Sequence, residues 1–174
     1  MRIDAAQNVL ELPIDSLETI AWSEDNPYLI KDHIFCGLSS GMHFSEHGAH
    51  LEKGLLIEEG REVEVYYIQG IEGEHVGYVK PHTKDEQCIG QITITTPQAH
   101  TVDGFRIGST YAALENEITS IEGHGTEIRG VAYAVRGREL FLLAIENPVH
   151  ELQEGAPEPT TAVKEIKIKE HRME

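Results

Sequence analysis

The densest group of possible ligands in the sequence is His43, Glu46, His47 and His50. On a helix, His47 and His50 fall at i and i+3 on one face, with His43 just before its start. Imidazoles with a carboxylate in this arrangement suit Zn²⁺, Ni²⁺ or Cu²⁺, and ten histidines in 174 residues make a metal worth weighing. HExxH is absent, and Gly48 would loosen the supporting helix by up to about 1 kcal/mol relative to Ala. A solvated helix face is therefore the first reading. No cofactor is expected, and a Zn²⁺ site made of these four residues is the alternative.

Other candidates are thinner. His33 and Cys36 are spaced like two ligands or a His-activated thiol, but Ile34 and Phe35 between them suggest a buried strand. Asp25, Asp85 and Glu86 sit in turns without a D-x-[DN]-x-[DN]-G calcium loop. Ser39-Ser40-Gly41 and Gly108-Ser109 lack the lysine of a phosphate-binding loop, and no G-x-S-x-G elbow is present. Cys36 and Cys88 belong to no CxxC pair and read as two buried thiols, or as one disulfide in an oxidising compartment. The formal charge of −16 argues against nucleic acid and against an anionic membrane surface, both of which select Lys and Arg. The longest apolar stretch, Leu140 to Ile145, is far short of the roughly 20 residues of a membrane span.

The elements that would position these residues are suggested by an internal match. Gly41 to Glu52 aligns with Gly104 to Glu115, about 63 residues on, through Gly41/Gly104, Ala49/Ala112, Leu51/Leu114 and Glu52/Glu115. The second copy has Arg106, Ser109, Thr110 and Ala113 where the first has His43, Glu46, His47 and His50, so a shared fold would not depend on the possible ligands. Ser109 is the expected N-cap of a helix carrying Tyr111, Leu114 and Ile118 on one face. Strands are expected at Val63–Tyr67, Val76–Val79 and Ile89–Thr95, and again at Ile128–Val135, Glu139–Ile145 and Val163–Lys169. Each unit thus reads as one helix and three antiparallel strands.

The fold expected is α+β: a duplicated helix-plus-strands module forming one domain, with helices on one face of an antiparallel sheet. Its parts are an N-terminal extension over residues 1–35, a first unit over 36–95, and a second over 96–174. Edge strands are expected at Leu10–Ile14 and Leu17–Trp22, and a long Pro/Gly loop at 147–161. Runs such as Glu58-Glu59-Gly60-Arg61-Glu62 read as solvated surface, and Tyr66, Tyr67, Tyr78 and Tyr133 as strand packing.

The run Ile89-Gly-Gln-Ile-Thr-Ile94, then Val102-Asp-Gly-Phe-Arg-Ile-Gly-Ser-Thr110, the Pro/Gly loop and Val163-Lys-Glu-Ile-Lys-Ile168 resemble a domain-of-unknown-function family of bacterial envelope lipoproteins that includes a stationary-phase-regulated member. The likeness covers residues 88–169. This sequence shows no lipid-attachment cysteine at its start, and Gly123 and Ala132 stand near where the family's cysteine pair falls. The resemblance implies a periplasmic or envelope location, with the leader absent from these residues, and supplies no catalytic residues; a cytoplasmic protein is the alternative.

The function expected from all of this is a non-enzymatic binding or interaction domain acting through an inter-lobe groove or a sheet face. Its partner is an unidentified protein or small molecule, with the loop 147–161 and the turns Gly70–Glu74 and Arg136–Arg138 as the contact surface. The metal site above and an unrecognised hydrolase are the alternatives.

Overall fold

The structure, a computed structural model, describes residues 28–47, 51–58, 60–124, 131–145 and 157–172. The expected edge strands at Leu10–Ile14 and Leu17–Trp22 lie outside the described residues, as does most of the loop 147–161.

The α+β expectation is overturned, because the described residues are mostly strand. The elements in chain order are β1 (Leu29–Ile30), α1 (Phe44–His47), β2 (Leu51–Glu58), β3 (Arg61–Gln69), β4 (His75–Pro81), β5 (Ile89–Ile94), β6 (His100–Thr101), α2 (Tyr111–Leu114), β7 (Ser120–His124), β8 (Val131–Arg136), β9 (Glu139–Leu143) and β10 (Val163–Ile168). Each helix is one turn of four residues. So short a helix fixes its backbone for very few hydrogen bonds, and it persists only where packing holds it. In α2 that packing comes from buried Tyr111 and Leu114. Its N-cap is Thr110, which accepts from the Ala113 N–H, whereas the expected cap Ser109 accepts from the Arg106 N–H.

Eight strands form one sheet in the order β2-β3-β4-β5-β10-β9-β8-β7, every neighbouring pair antiparallel. Two four-strand meanders meet at β5·β10, where Ile94 pairs with Ile166 and Ile92 with Ile168. Each half carries four strands rather than the three expected. The extra strands are β2, which takes up Leu51 and Glu52 from the expected first helix, and β7.

One face of this sheet carries the core. Val79, Ile92, Ile94, Ile166, Ile168, Phe141 and Ala134 alternate with outward residues, and all are fully buried. Tyr28, Ile30, Phe35, Leu38, Ala99, Tyr111 and Leu114 from the connecting segments pack on top of them. Residues 31–38 are not the strand expected around Ile34–Phe35. They form two successive tight turns, with Lys31 and Ile34 exchanging both backbone hydrogen bonds and Phe35 and Leu38 doing the same. Asp32, His33, Cys36 and Gly37 at the turn centres all have φ between 53° and 76°. Two-residue hairpins need that geometry, and burial of Phe35 and Leu38 offsets its cost for Cys36.

The chain beyond β10 is tied across the sheet's end. Lys169 N–H donates to the Arg138 carbonyl at 2.7 Å, and His171 N–H donates to the Ser40 hydroxyl. Buried His82 is satisfied on both ring nitrogens: Nδ1 accepts from the Lys84 N–H, and Nε2 donates to the His171 carbonyl. Among the described residues no helix is long and apolar enough to cross a membrane.

Candidate functional site

The expected metal residues are only partly in view. His43 precedes α1, exposed, with Nε2 on Gln87 Oε1 at 3.2 Å and Nδ1 on the Ser45 hydroxyl at 2.7 Å. Glu46 is exposed, α1 ends at His47, and His50 lies outside the described residues. Among the described residues, no three His, Cys, Asp or Glu side chains are grouped as metal ligands would be.

Both thiols are free and buried. Burial, reinforced by the Glu74 charge, pushes the Cys36 thiol up to about 12. Burial also raises Cys88, whose Sγ–H points at Asp85 Oδ2 at 3.5 Å. Both sulfurs are therefore held as thiols at neutral pH, the opposite of nucleophile activation. His33 turns to Arg138 Nη1, at 3.4 Å, rather than to Cys36.

The three segments expected to share a contact surface do not all meet. Gly70–Glu74 closes the β3–β4 end of the sheet, beside the start of β10. Arg136–Arg138 closes the opposite end, beside the last residues of β10. Arg136 is instead a structural clamp. Its guanidinium bonds Asp103 at 2.6 Å and Glu139 at 2.7 Å and lies over the rings of Phe105 and Phe141. The Arg136 hydrogen bond holds the Asp103 carboxyl near a pKa of about 2, helped by the Thr101 hydroxyl. A carboxyl depressed in the folded state stabilises above its unfolded pKa, near 4, and that stability is lost as pH falls from there toward 2. The full shift would amount to roughly 2.5 kcal/mol, but the Asp103 side chain is 46% exposed and screening leaves about 1 kcal/mol. Asp103→Asn is accordingly expected to cost about 1 kcal/mol at pH 7 and almost nothing at pH 2, read from urea midpoints at both pH values. Equal losses at both would assign the effect to packing.

The more informative surface is the sheet face opposite the core. Across it run Tyr78 (β4), Thr93 (β5), Lys167 (β10), Leu140 (β9) and Val135 (β8), each paired with the next by strand register. Glu165, Tyr133 and Leu142 lie one position along, paired in the same way. Lys80 and Glu58 stand on the same side and form an ion pair at 2.7 Å. The Glu58 charge acts on both Tyr78 and Glu165. Lys80 on β4 thus reaches Glu58 on β2, two strands away at the sheet's edge.

Two lysines and two glutamates gather there, a neutral group on a chain of charge −16. Burial pushes the Glu165 carboxyl up. Burial works against the Lys167 ammonium, yet Tyr133, Glu165 and Tyr78 outweigh it and hold its pKa above the ordinary lysine value. The Lys167 ammonium hydrogen-bonds the Tyr133 hydroxyl, lies 5.7 Å from the Tyr133 ring centre, and stands 3.9 Å from Glu165 Oε1. Beside it Thr93, 1% exposed, directs its hydroxyl to that of Tyr78 in a long, weak hydrogen bond. Tyr133, Val135, Leu140 and Leu142 form an apolar cluster on this face, separate from the core. Alternation marked Glu165 and Lys167 as the polar side of a strand, but nothing local could say that the strand would be central.

No family model matches the sequence, and no curated protein matches it. Among solved structures it is similar to the uncharacterized protein YfeY from Escherichia coli, with a TM-score of 0.50 and 11% identity over 76% of this chain and 92% of that one. At that identity the likeness concerns the fold alone.

Proposed function

We propose that this chain is a non-enzymatic binding domain of the bacterial cell envelope whose ligand rests on the sheet face opposite the core. The observation carrying the binding reading is an apolar cluster of Tyr133, Val135, Leu140 and Leu142 set apart from the core, beside the charged Lys167, Glu165, Lys80 and Glu58. Binding rather than catalysis is supported by two thiols kept protonated and by His82 engaged on both nitrogens. The β5·β10 pairing runs one sheet through both halves, which favours a sheet face over a groove between lobes.

The test is a small-molecule screen followed by ¹H–¹⁵N and methyl NMR. The expected result is shifts concentrated at Thr93, Lys167, Leu140 and Tyr133. Shifts at His43 and Glu46 with Zn²⁺, and none on the sheet face with any compound, would reject it in favour of a metal protein. The envelope location rests on the sequence resemblance over residues 88–169. Cell fractionation after expression from the native reading frame checks it, and recovery in the cytosolic fraction would reject that part.

A further inference from the structure

The two edges of the sheet are unlike. β7 is five residues long and carries Glu122. β2 is eight residues long, and among the described residues no strand pairs with its outer side. Glu58 and Arg61 close a two-residue turn between β2 and β3, and such a pair exchanges both backbone hydrogen bonds. Bonded and unbonded pairs alternate from there, so Leu51, Lys53, Leu55 and Ile57 turn their N–H and C=O groups outward. Leu55 and Ile57 are also 60% and 66% exposed. Edges are usually guarded by charge or proline, but the one cation of β2, Lys53, is held by Glu64 at 2.9 Å. The acids here are likewise engaged: Glu52 meets His75 and Glu58 meets Lys80, both at 2.7 Å. On a chain of charge −16, an edge with its charges matched locally is where a second copy can approach.

The strand is also complementary to itself. Two identical strands that pair antiparallel about a two-fold axis put one residue opposite its own copy. With Leu55 on the axis, Glu52 faces Glu58; with Gly54 on it, Lys53 faces Leu55 and Glu52 faces Leu56. With Leu56 on the axis, Leu55 faces Ile57 twice over and Gly54 faces Glu58. Within β2 that register sets no charge against a like charge or an apolar side chain. We propose that β2 pairs antiparallel with β2 of a second copy about a two-fold axis at Leu56, joining two eight-stranded sheets into one. A single strand pair buries less than the roughly 1,200 Å² of tight interfaces, so the dimer is weak and forms at high concentration. Two chains of charge −16 repel at a distance, so salt tightens it, the reverse of an interface held by ion pairs. Nothing in this pairing depends on the ligand-binding face, whose apolar cluster lies on β8 and β9.

The test is sedimentation equilibrium of the full chain at pH 7, with protein at about 0.3 mM and NaCl at about 0.5 M. The expected result is a monomer–dimer equilibrium, weakened about fivefold when the salt is cut to about a tenth and about tenfold or more by Ile57→Lys. Ile57 is exposed, so this variant folds like the parent, which melting temperatures confirm. Leu56→Cys adds a test of register. Opposite residues of an unbonded pair hold their Cβ atoms about 4.5–5.5 Å apart, close enough for a disulfide after a small adjustment. Mild oxidation of Leu56→Cys therefore yields a covalent dimer, and Leu55→Cys, which faces Ile57, yields several-fold less. The native Cys36 and Cys88 are buried and do not compete. A parent that stays monomeric in high salt, a dimer that Ile57→Lys leaves intact, or equal cross-linking by the two cysteine variants would each overturn the pairing.

Discussion

Gly77→Ala is expected to destabilise the protein by roughly 3 kcal/mol or more, enough to remove a large share of a typical domain's stability. Gly77 lies inside β4, paired with Ile68 on one side and Ile94 on the other. A methyl there would sit deep inside the van der Waals radius of the Thr93 carbonyl oxygen and 3.2 Å from the Ile94 Cα. Both obstacles are backbone, so no side chain can rotate away. The strands must separate instead, and the β4·β5 ladder supports the β5·β10 junction that joins the two halves. Overpacking of this kind costs about 1–3 kcal/mol where side chains can yield, and more where they cannot. Urea unfolding followed by circular dichroism measures the loss. A change under about 0.5 kcal/mol would mean that β4 and β5 are not packed as closely as described here.

Phe141→Ala should cost about 4 kcal/mol, within the usual range for emptying a large buried aromatic site. Phe141 is fully buried at the centre of the core face, paired with Ile166 and Ala134 across its two neighbouring strands. Its ring meets Phe105 edge-on at 6.1 Å and lies under the Arg136 guanidinium at 5.8 Å. The substitution therefore opens a cavity and also loosens the clamp on the Asp103 loop. Phe141→Leu, which fills most of the volume, should recover more than half of the loss. Thermal melts of both variants decide the matter, and similar melting temperatures for the two would show that the ring contacts, not the volume, dominate.

The individual strands were largely legible. Ile92 and Ile94, Ile166 and Ile168, and the flanks of Arg136-Gly137-Arg138 alternate as strands must, and β5, β8, β9 and β10 lie where that pattern puts them. The cross-strand tyrosines also behave as packing: Tyr67 meets Tyr78 edge-on at 6.1 Å, and Tyr66 meets Phe44 at 4.5 Å. β2 was not legible. It is an edge strand on which Leu55 and Ile57 are 60% and 66% exposed, so apolar residues do not report its buried side. The helices were overcalled for a related reason: spacing at Tyr111, Leu114 and Ile118 shows which face could pack, while the length of a helix depends on what is there to pack against. The charged run at Glu58 to Glu62 reads as open surface, yet Glu58 reaches Lys80 across the sheet.

What this sequence determined by itself was local: which segments extend and where they turn. Alternation with a period of two is written into neighbouring residues, so it survives without knowledge of partners. Tertiary structure decided the rest: that β5 and β10 join the halves, and that Thr93 and Lys167 stand paired on the sheet face opposite the core. Those relations link residues more than 70 positions apart through backbone hydrogen bonds, which are the same for every side chain and leave no mark on residue type.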